Sequence, residues 1–128
     1  MNKLIIDAAN DNIFLMIINN QNIYNISHEN SKINYEKLTT LIYDFLKLKG
    51  LNFKKIASLY VNRGPGSFAG IRNSFSIVKA VHFTLKIDYY CYSFKDFDNE
   101  NEIKYENIPN LCNKFKIKKN LIKAIYIS

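Results

Sequence analysis

The stretch Tyr60-Val61-Asn62-Arg63-Gly64-Pro65-Gly66-Ser67-Phe68-Ala69-Gly70-Ile71-Arg72 joins two kinds of sequence and sets the fold. Before it, Ile56, Ala57, Leu59, Tyr60 and Val61 make an apolar run with the length of a buried strand. After it, an apolar-rich run to Leu85 has the length of a helix. Pro65 fixes its own φ and moves Gly64 away from helical geometry, and Gly66 is expected to take the positive φ of a sharp strand-to-helix reversal. Ser67 stands where an N-cap belongs, its hydroxyl placed to accept from a free N–H of the first turn.

Working outward toward the N-terminus, Leu4 to Ala8, Ile13 to Ile18 and Asn22 to Ile26 are short apolar segments separated by Asp11-Asn12 and Asn19-Asn20. Asn and Asp tolerate tight hairpin conformations, so three antiparallel strands in a row are predicted, the third at an edge. A helix follows from about Tyr35 to Lys49, ended by Gly50, with Leu38, Leu41, Ile42, Phe45 and Leu46 on one face. Beyond the turn, the helix to Leu85 carries one stripe through Ile71, Phe75, Val78, His82 and Leu85, widened by Phe68, Ile77, Val81 and Thr84. So wide an apolar surface predicts cover on more than one side, either by a partner chain or by the C-terminal tail. Gly70, Ser74 and Ala80 are small enough to let another helix approach closely.

A fifth strand is predicted over Tyr89 to Tyr92, and Ser93 is placed to cap a short helix over Phe94 to Phe97. Asp96, Asp98, Glu100, Glu102 and Glu106 then form an acidic segment with the character of a linker. Residues Ile108 to Ser128 are expected to make a short helix and one strand. The division drawn is a domain over 1–97 and a linker with a short tail over 98–128.

With 128 residues the chain is long enough for a core without staples, and 48% hydrophobic with 14% aromatic residues is the composition of a folded protein. Cys91 and Cys112 fall in no metal or redox spacing and are expected as reduced, buried thiols. No apolar run reaches the roughly 18 to 20 residues of a membrane span, and the first residues lead straight into a strand, so a cytoplasmic location is expected. The net charge of +7 permits attraction to nucleic acid, but the lysines are scattered apart from Lys114, Lys116, Lys118, Lys119 and Lys123.

A glycine turn entering a helix favours anions, yet Gly70 is followed by Ile71 where a Walker A loop needs Lys. Gly64, Gly66 and Ala69 fit a loose dinucleotide pattern, but Asp88 opens its strand instead of closing it, and three hairpin strands precede the motif. His28 and His82 are the only histidines and share no metal-binding spacing. No metal, cofactor or catalytic residue is therefore assigned. Asp7, closing the first strand, has two readings: a possible degenerate phosphate site, or a structural carboxylate bonding turn backbone. Arg63 and Arg72 bracket the turn and either pin it or meet a partner's acidic groups.

The motif Asn62-Arg63-Gly64-Pro65-Gly66-Ser67-Phe68-Ala69-Gly70-Ile71-Arg72 resembles the signature of the TsaB (YeaZ) family, which has the form Gly-Arg-Gly-Pro-Gly-Ser-Phe-Thr-Gly-aliphatic-Arg. Lys3-Leu4-Ile5-Ile6-Asp7-Ala8-Ala9 resembles the family's first strand, with Ala8 and Ala9 in place of two hydroxyl residues, and Asn34-Tyr35-Glu36 stands where the family has His-Ser-Glu. The resemblance covers about residues 1 to 97 and leads us to expect a shortened form that lacks most of the family's second domain, with 98–128 as its remnant. The element order β-β-β-α-β-α-β is that of an α/β, ribonuclease-H-like domain of the actin-like ATPase superfamily, with a mixed five-stranded sheet.

What the resemblance implies is a non-catalytic scaffold subunit in the formation of N6-threonylcarbamoyladenosine in tRNA. Its partners would be a TsaD-like catalytic subunit and a TsaE-like ATPase, with tRNA contacted indirectly, a homodimer in isolation and no membrane. The partner interface is placed at Tyr35, Thr39, Tyr43, Ile71, Ser74, Phe75, Val78 and His82. The alternatives are an independent nucleotide-binding enzyme of the actin-like fold, dependent on Asp7, and a degenerate binding module.

Overall fold

In the computed structural model, which describes residues 1–20, 22–98, 100 and 102–125, Leu4, Ile5 and Ile6 are all fully buried. Successive side chains of a strand face opposite ways, so this first strand is covered on both faces. The elements in chain order are β1 (Asn2–Asp7), β2 (Asn12–Ile18), β3 (Ile23–Glu29), α1 (Lys32–Glu36), α2 (Leu38–Leu48), β4 (Ile56–Asn62), α3 (Phe68–Leu85), β5 (Asp88–Tyr92) and α4 (Ile108–Lys114). The strands form one mixed sheet in the order β3-β2-β1-β4-β5. The three N-terminal strands pair antiparallel, and β4 and β5 add in parallel beside β1.

Fold class and element order are as the sequence predicts, and three local differences have physical reasons. The first helix begins earlier, at a Ser31 cap that accepts from Asn34 N, and breaks at Lys37. At that break the Tyr35 carbonyl accepts from Asn73 Nδ2 of α3 at 3.0 Å, which ties the two helical units together. The third strand runs on to Glu29 because Asn12 and Ile13 of β2 pair with Glu29 and His28. Finally, Gly64 and not Gly66 takes the positive φ in the turn, at 108°. The helix end at Gly50 is as expected: φ is 71°, and Leu51 N donates back to Leu46 O at 2.8 Å.

One face of the sheet presents Leu4 and Ile6 of β1, Leu15 and Ile17 of β2, Leu59 and Val61 of β4, and Tyr89 and Cys91 of β5. Against it pack Leu38, Ile42, Phe45 and Leu46 of α2 and Ile71, Phe75, Val78 and Val81 of α3. The other face presents Ile5, Met16, Tyr60 and Tyr92, and here the expected linker and tail differ from the structure. The segment from Ile103 to Ile117 lies on this face, burying Ile108, Leu111 and Cys112 of α4, with Ile103, Tyr105 and Phe115 packed beside them. The acidic segment also contains Phe97, Ile103 and Tyr105, which pack on this face and which a reading by charge alone overlooks.

Past α4 the chain runs along β5, the edge strand. Lys119 forms an antiparallel bridge with Tyr90, Asn120 N donates to Tyr89 O at 2.7 Å, and Ile125 N donates to Arg63 O at 2.7 Å. Of the strand expected near the C-terminus, Tyr126, Ile127 and Ser128 lie outside the described residues. The short capped helix after β5 is a 3-10 turn over Phe94–Asp96, with Ser93 and Asp96 forming a capping box.

Candidate docking face and the glycine turn

Three polar groups hold the turn between β4 and α3. Gly64 N donates to Asn62 Oδ1 at 2.8 Å, Ser67 N donates to Ala9 O at 2.9 Å, and Ser67 Oγ accepts from Gly70 N at 3.2 Å. Ser67 is thus the N-cap of α3. Gly66 and Gly70 serve close approach: a Cβ on Gly66 would collide with the Ala9 carbonyl, and one on Gly70 with the Ala8 carbonyl. At this helix start the Ser67 and Gly70 N–H groups are already engaged within the chain, by Ala9 O and by Ser67 Oγ. The Gly64–Pro65 peptide is cis.

Arg63 pins the turn. Its guanidinium grips Asp96 through Nε–Oδ2 at 3.2 Å and Nη2–Oδ1 at 2.6 Å, and Nη1 donates to Lys123 O at 3.1 Å. Arg72 is exposed and lies over the Phe68 ring at 6.0 Å. Of the two arginines, Arg63 is thus the one that pins the turn.

Asp7 is fully buried and satisfied from within the chain. Its Oδ1 accepts from Ala9 N at 3.1 Å; its Oδ2 accepts from Asn62 Nδ2 at 3.1 Å and from the Tyr105 hydroxyl at 2.6 Å; Asn10 Nδ2 lies within 3.4 Å of both oxygens. Burial, and then the neighbouring Asp7 carboxylate, push the Tyr105 hydroxyl above its ordinary range, so it stays a donor. The reading of Asp7 as a phosphate site is corrected accordingly: Tyr105, delivered by the C-terminal segment, occupies the oxygen a metal or ligand would need. Asn62 and Tyr105 are the partners the sequence reading missed. A polar residue ending an otherwise apolar strand was the available signal for Asn62, whereas nothing local marks Tyr105.

The expected interface divides in two. Ile71, Ser74 and Val78 are fully buried and Phe75 nearly so, which corrects their assignment to an outer surface. The reason is that α3 touches α1, α2 and three strands, and Ile122 and Ala124 of the tail pack on the same core, so the wide apolar stripe is consumed internally. Ser74 Oγ donates to Gly70 O at 2.7 Å within the helix. Tyr35 and His82 are half-buried, His82 with Nδ1 against Ile87 O at 3.0 Å. Thr39 and Tyr43 are exposed as expected.

What remains outside on α3 is a ridge of Phe68, Arg72, Ser76, Lys79, Ala80 and Phe83. Beside it, α2 exposes Thr39, Tyr43 and Leu48. Tyr43, Leu48, Phe68 and Phe83 are each more than half exposed, at 53, 72, 51 and 78%. A groove of about 340 Å³ between the two helical units is lined by Tyr35, Thr39, Asn73 and Ser76.

Cys91 and Cys112 are free thiols, both buried, and burial pushes each up to about 12. Among the described residues no three of His, Cys, Asp or Glu come together as metal ligands, and no helix is long and apolar enough to cross a membrane.

The sheet order, its mixed pairing and the helices define a ribonuclease-H-like α/β protein. Within that class the chain is similar to YeaZ from Pseudomonas aeruginosa, with a TM-score of 0.66 and 18% identity over 72% of this chain and 43% of that one. A second structure of similar fit is described as an uncharacterized protein with similarity to peptidase YEAZ from the same organism. T. thermophilus RuvC, in complex with Holliday junction substrate, matches with a TM-score of 0.51 and 10% identity over 90% of each chain. No protein-family model and no curated protein matches the sequence. At these identities the likeness is one of fold, and the chain spans less than half of the YeaZ chain.

Proposed function

We propose that this chain is a non-catalytic subunit of an assembly that forms N6-threonylcarbamoyladenosine in tRNA in the cytoplasm. In this reading it docks on a TsaD-like catalytic subunit, a TsaE-like ATPase joins them, and the chain itself binds no cofactor. The YeaZ-like fold and the Asn62–Arg72 turn support the family role. The observation that carries the docking role is the outward side of α2 and α3, which holds the groove lined by Tyr35, Thr39, Asn73 and Ser76 and leaves Tyr43 of α2 and Phe68 and Phe83 of α3 exposed. The saturation of Asp7 favours a scaffold over a phosphate-handling enzyme. In isolation the same side would pair two copies about a two-fold axis.

The test is co-purification with a TsaD-like subunit from the same cell. Thr39→Glu with Ser76→Glu, both at exposed positions, should abolish retention while leaving the thermal melt of the isolated chain unchanged. Undiminished retention of the double variant would refute the docking face. Sedimentation at several concentrations should show the variant losing any self-association together with the partner.

A further inference from the structure

Docking through α2 and α3 leaves unused the lysines at 114, 116, 118, 119 and 123. The structure brings Lys116 and Lys119 together with Lys3 of β1, more than a hundred residues away in sequence, around an open groove of about 480 Å³ on the second face of the sheet. The seven-residue α4 forms one wall of this groove, and β1, β4 and β5 form the floor. Lys119 is loosely held, at 3.5 Å from Asp88, whose carboxylate is already engaged by Asn120 Nδ2 at 2.9 Å. No carboxylate pairs with Lys3 or Lys116 among the described residues.

The uncharged groups of the groove also suit an oxyanion. Tyr60 and Tyr90 stack with ring centres 5.1 Å apart and planes 11° from parallel. Tyr60 accepts from Ser58 Oγ at 3.2 Å, which leaves its own hydroxyl hydrogen for the groove. Burial pushes the Tyr60 hydroxyl up and the Cys112 thiol up to about 12, so neither adds negative charge near neutral pH. Lys116 and Ile117 also line an adjoining groove with Lys118 and Lys123, so the cationic surface continues beyond one pocket.

We propose that this groove binds phosphate esters, taking one nucleotide-sized anion between Lys3, Lys116 and Lys119, either free or as part of a single-stranded RNA backbone. The lysines supply the charge, and the Tyr60 hydroxyl and the Asn113 amide supply hydrogen bonds to the remaining oxygens. The site faces away from α2 and α3, so it stands whether or not those helices dock a partner.

Fluorescence anisotropy of a labelled single-stranded RNA of about 12 nucleotides, with the full chain in about 50 mM salt, tests it, and calorimetry with AMP forms a second arm. Lys3→Gln with Lys116→Gln should weaken RNA binding about tenfold and reduce the salt slope by roughly 0.7 per lost contact. Lys47→Gln with Lys79→Gln, the same change in net charge on the helical side, should leave binding within about twofold of the parent. Should the first pair melt early, Lys116→Gln alone carries the comparison. Binding of AMP but not RNA, lost in the groove variant, supports the site and assigns it to a free nucleotide. Equal weakening by both pairs, or binding of neither probe, overturns the proposal.

Discussion

The two faces of the sheet are closed in different ways. On the helical face, α2 and α3 present mostly aliphatic side chains, with Phe45 and Phe75 among them, to Leu4, Ile6, Leu15, Ile17, Leu59 and Val61. That face is sealed by elements lying between the strands in sequence, and each helix announces itself by its own periodicity. The second face is aromatic and partly polar. It is closed by a segment that follows the last strand, through α4, through Phe14 stacked on Tyr105 with ring centres 4.1 Å apart, and through the Tyr105 hydroxyl on Asp7. The difference shows two ways of covering a sheet: crossover helices between strands on one face, and a segment that follows the last strand on the other. The cover is narrower than a long helix would give, and the lysine-rimmed groove is the part left open.

The sharpest way to break the comparison is to put charge into the helical face. Val78→Glu places a carboxylate at a fully buried position inside an apolar cluster, and should cost more than about 4 kcal/mol, enough to unfold the domain. Circular dichroism would show the loss, and a folded variant with a normal melt would mean that α3 does have a free apolar side.

A smaller effect is expected on the second face. Tyr105→Phe keeps the ring stacked on Phe14 but removes the donor to Asp7, leaving the other donors in place, and should cost about 1.5 to 3 kcal/mol in denaturant titrations. The pH dependence sharpens this. Tyr60, Tyr92 and Tyr105 on this face are all raised above the ordinary value of 10.0, chiefly by burial. A raised folded-state pKa gives stability that is fully present below pH 10 and is lost as pH rises further, because the unfolded chain releases those protons first. The parent should therefore weaken progressively above about pH 10, and Tyr105→Phe should weaken less steeply. Identical alkaline slopes for the two proteins would separate Tyr105 from that loss.

The smallest effect concerns Tyr92, which is fully buried and whose hydroxyl has no hydrogen-bond partner among the described residues. Tyr92→Phe removes a polar atom that gains nothing from burial, so the melting temperature should stay level or rise, by up to about 1 kcal/mol in stability. A clear loss would reveal a partner for that hydroxyl.

The glycine turn shows how far local reading extends. Its strand, its reversal and its Ser67 cap are all legible, because each depends on residues within a few positions of one another. The assignment of positive φ to Gly66 failed because a tight turn with two candidate glycines leaves the choice to what packs against them. Here both glycines are crowded, Gly64 by the Ile125 carbonyl and Gly66 by that of Ala9, and the positive φ falls on Gly64. The apolar stripe of α3 was equally visible. Its surroundings were not, since they combine α1, α2, three strands and the tail, and burial of Ile71, Ser74 and Val78 follows from that combination.

By itself the sequence determined the mixed ribonuclease-H-like sheet, the order of its elements and the glycine turn that joins β4 to α3, because periodicity, capping and turn chemistry are properties of neighbouring residues. Only the tertiary structure decided which side of α3 faces outward, that the segment from Ile103 to Ile117 covers the second face, and that Tyr105 reaches Asp7 across 98 positions. It also decided that Lys3 meets Lys116 and Lys119 at one groove. Those contacts join distant parts of the chain, and their geometry is set by the sheet on which those parts come to rest.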